Sequence, residues 1–70
     1  MNREEYIAWC KELALAYVDR GELESAVTAM ISDLSKRDDT RPNGILLITG
    51  MMYASDFDRA GVVRWIEGFH

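Results

Sequence analysis

Apolar positions recur at helical spacing from the sixth residue onward. Tyr6, Cys10, Leu13 and Tyr17 stand at i, i+4, i+7 and i+11, with Trp9 and Ala14 widening the stripe, so the opening segment is expected to be an amphipathic helix. Asn2 and Glu5 have the spacing of a capping box, and Glu4 and Glu5 suit the positive end of the helix. Gly21 supplies the left-handed residue that ends it. A second helix is expected over residues 22–36, with Leu23, Ala26, Val27, Met30 and Leu34 on one face and Lys36 and Arg37 near its negative end. So short a connection makes the pair an antiparallel hairpin.

Residues 38–43, with Pro42 and two adjacent acids, read as a loop. The next stretch, 45–54, is ambiguous: Ile45 to Thr49 is β-prone, yet no comparable run exists to pair with, and a lone strand would bury unpaired amides and carbonyls. A buried helix is therefore expected, with Thr40 as its cap and Pro42 in its first turn; the alternative is a strand. A last helix should start after Ser55, which would cap it, with Asp56 and Asp58 in its first turn. Val62, Ile66 and Phe69 would form its inner face and Trp65 would flank that face. The expected architecture is all-α: one domain over residues 1–70, a compact bundle of four short helices opening with a helical hairpin.

Composition limits the chemistry. Eight Lys and Arg against 12 Asp and Glu give a net charge of −4, and the cations are scattered among acids, so direct binding to nucleic acid is not expected. The single cysteine, Cys10, permits neither an intrachain disulfide nor a thiolate metal cage. Apolar runs such as Ile45 to Ile48 are too short to span a bilayer, and Asn2, Arg3, Glu4 and Glu5 do not begin a secretory signal. A cytoplasmic protein without membrane attachment is the expectation.

The sharpest local pattern is Asp56-Phe57-Asp58-Arg59-Ala60-Gly61 followed, after five residues, by Glu67, which overlaps the calcium-loop template. Ala60 stands where an oxygen ligand is required and Arg64 brings a cation to a ligand position. Asp56, Asp58 and Glu67 thus make a degenerate calcium site an alternative reading only. Cys10 faces the interior, His70 is terminal, and no phosphate-binding glycine loop or paired metal-spaced histidine occurs. No catalytic residue and no cofactor are expected.

Seven aromatics and four methionines in 70 residues exceed what a domain this small readily encloses. An apolar protein-binding face is expected, with Trp9, Tyr53 and Trp65 as its anchors and Glu22, Glu24, Asp33, Asp38 and Asp39 steering a basic partner. The partner would be another protein or a second copy of the chain. A further alternative is an acidic decoy for a nucleic-acid-binding protein.

Two resemblances add to this. Leu13, Ala14, Tyr17, Gly21, Leu23, Ala26 and Met30 fall at the spacings of one tetratricopeptide-type unit, and the first hairpin resembles such a unit; Asp33 departs from the pattern, and a repeat of about 34 residues cannot recur often enough to stack. The pattern Leu23, Ala26, Val27, Met30, Ser32-Asp33-Leu34 and Lys36, then Gly50-Met51-Met52, then Ile66, Gly68 and Phe69, resembles small helical proteins encoded by phages of actinobacteria. That resemblance implies a helical, non-enzymatic protein acting inside an infected bacterium, and it carries over no site residues; a phage accessory protein of this kind would engage a bacterial host protein or a second copy of itself.

Overall fold

The computed structural model describes the whole chain, Met1–His70. Four helices follow one another: α1 Arg3–Asp19, α2 Leu23–Leu34, α3 Gly44–Ser55 and α4 Arg59–Glu67, with no strand. The all-α bundle expected from the hydrophobic pattern is the fold observed, and residues 45–54 are helical. Thr49, within the β-prone run, donates its hydroxyl to the Ile45 carbonyl at 2.8 Å, so the helix itself satisfies the one polar side chain in that run.

The start of α1 follows its sequence. Asn2 accepts from the Glu5 amide at 2.8 Å, while the Glu5 carboxylate accepts from the Asn2 amide at 3.2 Å. At its end, Gly21 adopts φ +79°, the Gly21 amide donates to Val18 and the Glu22 amide to Tyr17, a Schellman closure. The buried face differs from the expected stripe. Ile7, Cys10, Ala14 and Val18 are buried, whereas Leu13 and Trp9 stay exposed and Tyr6 and Tyr17 lie at the edge. Wedged between α2 and α4, α1 turns its small side chains inward where helix backbones approach, and its large rings fall on the rim.

The ends of the other helices correct three further expectations. First, α2 stops at Leu34, so Lys36 and Arg37 lie in the turn beyond it. Thr40 is buried and caps this end rather than α3: its Oγ1 donates to the Leu34 carbonyl at 2.6 Å, satisfying a group that the helix leaves unpaired. Second, Asn43 caps α3, accepting from Leu46 at 2.9 Å, and Pro42 precedes the helix. Third, Asp58 caps α4, accepting from Gly61 at 2.8 Å, because Ser55 is still part of α3.

Thirteen buried side chains from all four helices form one cluster, with Met30, Leu34, Ile66 and Val27 among its fully enclosed members. α3 packs on α2 and α4 and does not touch α1. It docks through its smallest residues. A Cβ on Gly50 would lie 2.6 Å from the Trp65 ring, and Trp65 Nε1 donates to the Leu46 carbonyl at 2.9 Å, so the indole lies flush on the α3 backbone and is pinned there. Gly61 serves the same purpose against Tyr53. No helix is long and apolar enough to cross a membrane.

Candidate functional site

The expected anchors do not assemble. Trp65 is only 7% exposed, packed on Gly50 and edge-on to Phe69 at 5.0 Å between ring centroids, so it is a core residue rather than a surface anchor. Sequence spacing placed it beside the inner face of α4; the gap left by Gly50 draws it in. Tyr53 is half-buried against Gly61. Trp9 is 39% exposed but lies on α1, stacked at a tilt on Tyr6, on an element that α3 never meets.

The acids divide as well. Asp33 is largely covered: its carboxylate holds Lys36 at 3.1 Å and its carbonyl accepts the Tyr6 hydroxyl. Asp38 pairs with Arg41 at 3.3 Å and Asp39 with Arg37 at 2.9 Å, beside the N-terminal end of α3. Glu22 pairs with Arg20 at 2.8 Å, and Glu24 has no cationic partner. The residues of the calcium pattern are placed as follows. Residues 59–67 of the would-be loop are helix α4, the Asp58 carboxylate is committed to the Gly61 amide, and no three acidic, His or Cys side chains converge.

What the structure does assemble is the outward side of α3. This helix carries no charged residue over its twelve positions and buries only Gly50 and Ala54. Ile45 is 77% exposed, Ile48 63% and Met52 60%, at i, i+3 and i+7 on one stripe, with Met51 beside them. Leu47, Ile48, Met51 and Met52, with Glu24 and Ser55 at the edge, line an open groove of about 460 Å³. The side chains are apolar and two are methionines, which adapt to varied partner shapes.

Phe57 extends this surface past the end of α3. It is 83% exposed and shares a smaller depression with Glu22, Leu23, Glu24 and Ala54. It also stands at φ 53°, in the left-handed region where a residue with a β-carbon is strained. The Phe57 amide donates to Ala54 and the Asp58 amide to Tyr53, so α3 ends in the same Schellman closure that ends α1, with Phe57 where α1 has Gly21. An exposed aromatic thus occupies a position that favours glycine, beside an apolar groove.

Both signals were present in the sequence. The chain carries no charge over the fourteen residues 42–55, a run with no polar side to turn to solvent. Phe57 follows the C-cap of α3, but the helix end had to be located before its backbone could be recognised as left-handed. Elsewhere, burial pushes the Cys10 thiol up from its ordinary value, and burial with the neighbouring Cys10 and Asp33 does the same for the Tyr6 phenol, so both are held in their neutral forms. No protein-family model, curated protein or solved structure matches the chain.

Proposed function

We propose that this protein is a non-enzymatic binding module that engages another protein through the outward face of α3 and Phe57. The observation that carries the reading is α3 itself: a wholly uncharged helix packed on only two neighbours, with Ile45, Ile48 and Met52 standing in water. Contiguous apolar surface of this kind mostly marks interaction sites. Cys10, the one strong nucleophile of the chain, is enclosed and held as a thiol, which supports a role without covalent chemistry. The resemblance to phage proteins makes a bacterial host protein the partner that this reading expects.

The test compares proteins retained from bacterial lysate by immobilised wild type, by Ile48→Asp with Met52→Asp, and by Trp9→Ala. Both aspartates replace exposed side chains, so the fold should persist, as circular dichroism would verify. Specific partners should be lost with the aspartate pair and kept with Trp9→Ala. Retention of the same partners by the aspartate pair would show that α3 is not the docking face.

A further inference from the structure

The two ends of the α3 groove differ in charge. The α1–α2 and α3–α4 turns meet at one end, brought together by Asp19 and Arg59 at 3.7 Å and by the depression shared between Glu22, Glu24 and Phe57. The two turns, residues 19–24 and 56–59, carry five acids, Asp19, Glu22, Glu24, Asp56 and Asp58, and two cations, Arg20 and Arg59, which pair with Glu22 and Asp19. Neither Glu24 nor Asp56 has a cationic partner. The negative end of the α3 dipole points the same way, and no basic residue lies in its last turn. At the other end, Asp33, Asp38 and Asp39 are matched by Lys36, Arg37 and Arg41 in three ion pairs.

We infer that the occupant of this groove is a single amphipathic helical segment of another protein, carrying Lys or Arg at the end that lies over Phe57, Glu24 and Asp56. This rests on the reading of α3 as a docking face and adds its occupant and direction. Charge and area both select such a segment over a second copy of the chain. In a parallel dimer the acidic ends would oppose each other, and in an antiparallel one each would meet a neutral end. The outward apolar face is four side chains, Ile45, Ile48, Met51 and Met52, on one twelve-residue helix, whereas a standard stable interface takes ~800 Å² and about 20–30 residues from each partner. A helix laid in a groove needs no more than a stripe of apolar anchors at i, i+3 and i+7. An anionic lipid surface would be repelled by the acidic end.

The experiment titrates the intact protein with two synthetic amphipathic peptides of about 18 residues, roughly five helical turns, identical except that one carries four Lys and the other four Glu at the same end. Methyl resonances of Ile45, Ile48, Met51 and Met52 report docking. The Lys peptide is expected to shift them and to bind at least about tenfold more tightly than the Glu peptide, with the gap narrowing as salt is raised. In Glu24→Lys with Asp56→Lys the preference should reverse. Phe57→Gly should weaken the Lys peptide by about tenfold without unfolding the protein.

Equal affinity for the two peptides, or no reversal in the charge-swapped protein, overturns the inference while leaving α3 as a docking face. Perturbation of α3 by anionic phospholipid vesicles in place of the peptide overturns it in favour of a membrane. A dimer in sedimentation that Ile48→Asp dissolves overturns it in favour of self-association. If neither peptide moves the α3 methyls, the inference fails, and the lysate comparison decides separately whether α3 docks any protein.

Discussion

Single side chains close this fold at points that a hydrophobic pattern does not reveal. Thr40 is such a case: as a polar residue ahead of a helix it resembles a cap for α3, yet its hydroxyl turns back to the Leu34 carbonyl. Nothing in local spacing distinguishes a residue that starts the next helix from one that ends the last, because both roles use the same hydroxyl. Cys10 and Tyr6 carry a consequence for stability. Both have pKa values raised in the folded protein, chiefly by burial, so the folded state favours their protonated forms. An unfolded chain releases these protons near pH ~8.5 for cysteine and ~10 for tyrosine. Above those values the unfolded state binds fewer protons than the folded one, so stability should be full at neutral pH and fall as pH rises through the folded values. Urea midpoints measured from pH 7 to 10.5 should decline, and Cys10→Ala should flatten the first part of the decline. A flat wild-type profile to pH 10.5 would contradict the burial of both groups.

At the scale of the element, the two hairpins are closed by the same hydrogen-bond pattern with different residues, Gly21 after α1 and Phe57 after α3. A left-handed side chain costs about 1–2 kcal/mol, partly offset because glycine loses more entropy on folding, so Phe57→Gly should stabilise the protein by about 0.5–1 kcal/mol. Gly21→Ala should destabilise it by about 1 kcal/mol. Thermal and urea unfolding would measure both, and a Phe57→Gly protein less stable than wild type would show that the ring makes contacts that matter to the fold. The docking of α3 gives a second case. Helix propensity alone favours Gly50→Ala by about 1 kcal/mol, but the new Cβ would meet a Trp65 ring that its bond to Leu46 keeps from swinging aside. Overpacking of this kind costs about 1–3 kcal/mol. A net loss of up to about 2 kcal/mol is expected, and a stabilised Gly50→Ala would mean that the indole is free to move.

Across the whole molecule, the sequence disclosed the number and order of the helices far better than it disclosed their outward faces. Helical spacing around Leu23, Ala26, Val27, Met30 and Leu34 defines one face unambiguously, and all five residues lie in the core. α3 has no polar side to orient it, so its facing is decided by where Gly50 and Gly61 let neighbours approach, a property of pairs of helices rather than of either one. For the same reason Trp65 was expected at the surface and lies inside. The acids behaved likewise: Glu22 and Glu24 adjoin the apolar face, while Asp33, Asp38 and Asp39 are committed to neighbouring cations at the far end.

The seating of Trp65 on α3 also divides the optical properties of the molecule. Its indole is enclosed and bonded to the helix that carries the docking face, whereas Trp9 stands half in water on a helix that α3 never touches. Emission from Trp65 should therefore follow the attachment of α3, and in a Trp9→Ala chain, where Trp65 is the one indole left, it should signal loosening of the outer helix without an added label.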